Sequence, residues 1–191
     1  DAIRAEVRFM RDNQYCRAEC ILPHGRNFLT MKDGKVVDVD LRDTGRLMQV
    51  LREEKAWPRD NTMICRTCPL NVLFGGHFSR PDNPGVQFIP SAEGRENYKR
   101  AVTIINERAK KEGWPEIAFE CLGEFTNFGE SGRTFAVEVH TILRDLGVSN
   151  TLRGNGPSDM APIEQGLVKY PQPNWAMMYP EQLEVMRRTG K

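Results

Sequence analysis

Long apolar runs are missing from this chain, and no stretch approaches the roughly 20 residues that a membrane-crossing helix needs. An excess of either charge is missing too: 27 basic residues face 26 acidic ones, leaving a formal net charge of +1. That balance gives no reason to expect nucleic acid or a membrane as partner. No signal-peptide pattern opens the chain, and residue 1 is Asp, so the gene is expected to start upstream. Cysteine is too scattered for the disulfide framework of a small secreted domain, with five at positions 16, 20, 65, 68 and 121. No Gly-rich phosphate loop joins a strand to a helix, which removes the usual sign of a dinucleotide site. No resident cofactor and no metal centre is expected.

What the chain has is alternation. Residues 2–13 carry Ile3, Val7 and Met10 at helical spacing, and residues 15–22 read as a strand closed by Pro23. Asp33-Gly34 divides residues 27–40 into a hairpin. Asp40 then caps a helix with Leu47, Met48 and Leu51 on its inner face, ending near Lys55. Residues 62–68 form the next strand. Residues 69–90, rich in Gly, Pro and aromatics, read as a long functional loop. Ser91 opens a helix with Tyr98, Val102, Ile105 and Ala109 on one face, and Gly113 ends it. A strand over 116–122 follows, then a helix over 134–146 stopped by Gly147, with His140 beside its apolar stripe as a surface or packing residue. Strands at 148–153 and 174–179 flank a short helix around 163–168, and a last helix starts at Pro180.

Strands separated by helices argue for a parallel sheet with covering helices. Five strands are too few for a closed eight-stranded barrel, and both chain ends fall at helix boundaries. Residues 1–191 are therefore read as one incomplete α/β domain: a partial (β/α)8 TIM-like barrel of about five parallel strands, clipped at both ends. A self-contained open, doubly wound sheet is the alternative.

The strand at 116–122 carries the chemistry. Period-two alternation puts Ile117, Phe119 and Cys121 on one face, and Ala118, Glu120, Leu122 and Glu124 on the other. Glu124 lies at the C-terminal end, where barrel enzymes place catalytic groups. Paired carboxylates there suit glycoside hydrolysis, one of them kept protonated as general acid. The alternative is that Glu120 pairs with an Arg inside the barrel and Glu124 is a solvated loop residue. Cys16, Cys20, Cys65 and Cys68 supply the four thiols of a structural zinc site. On strands, however, Cys65 and Cys68 would face opposite ways, so buried packing is the commoner outcome.

The stretch Glu112-Gly-Trp-Pro-Glu-Ile-Ala-Phe-Glu-Cys-Leu-Gly-Glu124 resembles the strand that ends in an Asp-Glu-Pro motif in glycoside hydrolase family 123 and its uncharacterised relatives. Phe9-Met-Arg-Asp12, Asp33-Gly34 through Asp40, Gly147-Val148 and Arg188-Thr-Gly-Lys191 are similar, in order, to further segments of that family. The resemblance implies a (β/α)8 barrel that hydrolyses a glycosidic bond, with a carbohydrate as substrate and a secreted or periplasmic setting. Glu124 matches the family's general acid/base. Gly123 stands in place of the Asp that supports the substrate's acetamido group, and Phe125 in place of the Pro. Glu120 is then the nearest substitute carboxylate, or the site binds sugar without cutting it. Residues that follow the other strands offer the hydrogen-bonding groups and flat rings that sugars need: His24, Arg26, Asn71, His77, Asn127, Arg153, Trp175 and Tyr179. The rest of the parent chain is the expected partner of this piece. A zinc-stabilised α/β protein without sugar chemistry is a third possibility.

Overall fold

The structure, a computed structural model, describes residues 2–14, 17–23, 27–74, 91–122 and 130–153. The strand expected at 174–179 and the helices around 163–168 and after Pro180 lie outside those residues.

The chain runs α1 (Ala2–Asp12), β1 (Arg17–Glu19), β2 (Leu29–Lys32), β3 (Lys35–Val39), α2 (Arg42–Glu53) and β4 (Thr62–Arg66). A 3-10 helix (Cys68–Phe74) follows, then α3 (Ala92–Glu112), β5 (Glu116–Leu122), α4 (Glu130–Asp145) and β6 (Ser149–Arg153). Strands β1, β4, β5 and β6 form one sheet, adjacent in that order and parallel throughout. Among these four strands the order contains no central reversal.

Local chemistry explains the elements. Asp33 and Gly34 both take positive φ, as the two central residues of a type I′ turn must, and β2 and β3 pair antiparallel around them. Asn97 clips this hairpin to α3, accepting from the Val36 N–H at 2.9 Å and donating to the Gly34 carbonyl at 2.8 Å. Ser91 caps α3 by accepting the Gly94 N–H at 2.9 Å, and Gly113 ends it in the left-handed region.

Four expectations need correction. Asp40 sits one residue outside the N-cap of α2, which is Leu41. Its carboxylate still accepts the Arg42 N–H at 3.1 Å, because α2 starts one residue later than the apolar pattern suggests. The strand at β4 stops at Arg66, and residues 68–74 form the 3-10 helix, not loop. Leu70, Val72 and Phe74 are buried there, so tertiary packing overrides the missing helical period. Cys68 thus begins a helix and shares no strand with Cys65. Helix α4 begins at Glu130, four residues before the expected start.

One apolar core joins the sheet to the helices. It contains Ala18, Cys20, Met63, Cys65, Ile117 and Phe119 from one sheet face, together with Val7, Leu47, Met48, Leu51, Tyr98, Val102, Ile105, Val139, Ile142 and Leu143. All four helices therefore contribute to the same side. On the opposite face Ile64 and Ala118 form a buried apolar pair, the only one among the described residues. No described helix is long and apolar enough to cross a membrane.

Candidate functional site

The alternation within β4 and β5 that sends Met63, Cys65, Ile117 and Phe119 into the core must send Ile64, Arg66, Ala118 and Glu120 to the other face. Register then sets the neighbours. Glu19 lies beside Ile64, Ile64 beside Ala118, and Arg66 beside Glu120. The result is a carboxylate–guanidinium–carboxylate row near the C-terminal ends of three parallel strands.

Arg66 holds the row together. Its Nη2 donates to Glu19 Oε1 at 2.8 Å, while its Nε lies 3.9 Å from Glu120 Oε1. The second distance is an ion pair without a direct hydrogen bond. The Arg66 and Glu19 side chains are about one-third exposed, at 32% and 36%, whereas Glu120 is fully buried. A carboxylate so placed is costly unless charges and donors surround it, and Arg66 supplies one such positive charge. The main chain of Glu120 is pinned as well: its carbonyl accepts the Thr67 N–H at 2.9 Å and the Thr67 hydroxyl at 3.0 Å. The strand therefore cannot shift without also moving the turn that leads into the 3-10 helix.

Asn71 stands in that 3-10 helix, just beyond the C-terminal end of β4. Its side chain is 97% buried, and neither Oδ1 nor Nδ2 has a hydrogen-bond partner among the described residues. Left unsatisfied by the described residues, this amide would be costly without a further partner. Gly94 keeps the 3-10 helix close to α3. A Cβ at that position would meet the Leu73 carbonyl oxygen at 2.8 Å and the Phe74 ring at 2.9 Å.

Three of the ten site residues expected from sequence are thus described. Glu120 lies on β5, Asn71 in the 3-10 helix that follows β4, and Arg153 is the last residue of β6. His24, Arg26, His77, Glu124, Asn127, Trp175 and Tyr179 lie outside the described residues. Sequence reasoning missed Glu19, Arg66 and Thr67. The available signal was positional: Glu19 and Arg66 each occupy the last residue of a strand, on the face that alternation assigns to Glu120. The Arg that could pair with Glu120 is Arg66.

Of the four thiols considered for zinc, Cys20 and Cys65 lie in the core, Cys68 is half-buried, and Cys16 lies outside the described residues. Among the described residues no three His, Cys, Asp or Glu side chains gather as a metal site. Comparison with family models, with curated proteins and with solved structures finds no match to this chain.

Proposed function

We propose that the chain is part of a carbohydrate-active (β/α) barrel, with Glu124 as general acid/base of glycosidic hydrolysis and Glu120 as a second carboxylate beneath it. The observation that carries this reading is the buried Glu120 in the Glu19–Arg66–Glu120 row. That row lies on the face of an in-order parallel sheet that no described helix covers, close to the strands' C-terminal ends. A barrel interior is such a face, since its helices all pack outside, whereas a doubly wound sheet is covered on both sides. Arg66 and Glu19 would hold Glu120 in place, while Asn71 offers an amide donor and acceptor to sugar hydroxyls from the next loop. Arg26, Arg153, Asn127, His24, His77, Trp175 and Tyr179 remain the other proposed sugar contacts.

The test uses the protein at its natural length with a panel of aryl glycosides. Glu124→Gln should lower kcat by about 10²–10⁴-fold, the usual contribution of general acid–base catalysis, without a matching rise in KM. The substitution Gly123 for the resembling family's Asp favours a second reading, in which the site binds sugar without cutting it. Saturable sugar binding without turnover, weakened by Asn71→Ala, would establish that reading. Absence of both turnover and binding across the panel would remove the carbohydrate proposal.

A further inference from the structure

The outer face of α3 carries an open groove that the proposed sugar site does not use. Glu96, Lys99, Arg100, Thr103 and Ile104 line it, recurring at i, i+3, i+4, i+7 and i+8, so they form one stripe along the helix. That stripe is turned away from the inner one, in which Tyr98, Val102, Ile105 and Ala109 meet the core. Val36 and Val37 of the β2–β3 hairpin supply one wall, and Leu146, just past the end of α4, supplies another. The groove holds about 550 Å³, within the roughly 300–1,000 Å³ of small-molecule sites. It uses none of the proposed sugar contacts, so its test stands apart from that reading.

Charge narrows what such a groove takes. Its lining holds two cations, Lys99 and Arg100, against one carboxylate, Glu96. Arg100 Nε lies 3.5 Å from Glu96 Oε1, so that carboxylate is already engaged one helical turn away. Lys99 has no ion pair among the described residues, and the Thr103 hydroxyl has no hydrogen-bond partner there. These two side chains lie one turn apart on the same side of α3, so an acceptor between them meets an ammonium and a hydroxyl donor together. The excess is one positive charge, which one negative charge cancels. Apolar surface supplies the rest. Val37 is 48% exposed, and Ile104 and Leu146 are half-buried at the edge of the core, so covering them removes apolar area from water. The stripe from Glu96 to Ile104 runs about 12 Å along α3, the reach of a short chain.

We propose that this groove binds a small amphipathic anion, a single carboxylate on an apolar chain. The carboxylate takes the Lys99 ammonium and the Thr103 hydroxyl, while the chain lies over Ile104 toward Val37 and Leu146. Arg100 stays with Glu96 and adds no net charge. A doubly charged head would leave one charge unmatched, and a bare anion would leave the apolar walls in water. A neutral chain would leave Lys99 without a counter-charge. The groove therefore selects for both halves of the ligand at once.

Octanoate is the probe, titrated into the full chain while the methyl resonances of Val, Ile and Leu are followed by NMR. Saturable shifts are expected at Val36, Val37, Ile104 and Leu146, complete below the concentration at which octanoate forms micelles. Octanol and acetate, which each lack one half of the ligand, should bind about tenfold more weakly or worse. Lys99→Met, which removes the charge and keeps an extended side chain, should weaken octanoate by about tenfold or more with circular dichroism unchanged, and Val37→Asp should do likewise. No saturable shift, shifts confined to other methyls, equal affinity for octanol, or unchanged affinity in folded Lys99→Met overturns the site. So does a response to a Glu- and Leu-rich peptide in place of octanoate, which would give the groove to a protein segment. If either variant fails to fold, the unmodified protein decides: octanoate binding that added salt does not weaken overturns the site equally.

Discussion

His140 shows how much a single residue can set. It lies on the inner side of α4, fully buried, with Nδ1 3.0 Å from Asn150 Oδ1 and no partner for Nε2 among the described residues. Of the two placements expected from sequence, surface and packing, the structure gives packing. A hydrogen-bonding group beside an apolar stripe can turn either way, and only the nearness of β6 decides which. Burial lowers the His140 pKa to about 4, and the Asn150 contact offsets this only in part. The sign follows from linkage: the unfolded histidine takes up a proton near pH 6.5, but the folded one resists it down to about 4. Stability should be whole above pH 6.5 and fall by about 3 kcal/mol as pH drops to 4. Denaturant melts across that window should show the slope, and His140→Gln should flatten it relative to the parent. Equal slopes in the two proteins would show that the histidine titrates freely in the fold.

At the scale of elements, α1 is tied down by charge as much as by apolar contact. Only Val7 among its residues is fully buried. Arg4, Arg8 and Arg11, one helical turn apart, converge on the end of α2. Arg4 donates to Glu54 at 2.7 Å and to Glu53 at 2.6 Å, and Arg8 to Glu54 at 3.0 Å. Arg11 reaches the Glu54 carboxylate at 3.5 Å. Arg8 and Arg4 hold the Glu54 carboxyl down at about 2. Its contribution is therefore full above the ordinary glutamate range and is lost as pH falls toward 2. Screening by salt acts the same way on these partly exposed pairs. Amide exchange in α1, corrected for intrinsic rates, should speed up below pH 4 or in 1 M salt before β4 and β5 respond. Glu54→Gln should reproduce the effect at neutral pH. Uniform exchange across α1 and the sheet would mean that the clamp contributes nothing local.

The same scale shows where sequence was readable. The stripe Tyr98–Val102–Ile105–Ala109 and the turn Asp33-Gly34 are local signals whose outcome depends on few distant residues, and both appear where expected. Residues 68–74 carry no such signal, since their helix depends on the close approach of Gly94 on α3 to Leu73 and Phe74. The start of α4 is obscured by Gly132, a poor helix former that nevertheless lies inside the helix. At the site, Glu120 was legible from alternation alone. Glu19 and Arg66 were not, because their meeting depends on the register between strands that lie far apart in sequence.

For the whole molecule, the sheet order matches the sequence-derived expectation for the four described strands, and the α/β class follows from it. Alternation of strand and helix is enough to give parallel pairing. It does not say whether the sheet closes, because closure depends on strands outside the described residues. In the described sheet β1 and β6 are the outer strands, each with one side unpaired by its neighbours. Open edges recruit other strands. The 191-residue chain on its own should therefore self-associate as concentration rises, which sedimentation velocity will detect. A single monomeric species at all concentrations would mean that the edges are covered.

The unbroken order β1, β4, β5, β6 also carries a temporal consequence. Each strand pairs with the sheet strand made just before it, so its partner has already left the ribosome when the new strand emerges. The sheet can grow in the direction of synthesis, one strand and one covering helix at a time, with no early strand waiting exposed for a late central one. A doubly wound sheet differs at its reversal, where a strand pairs not with its predecessor but with a central strand made earlier.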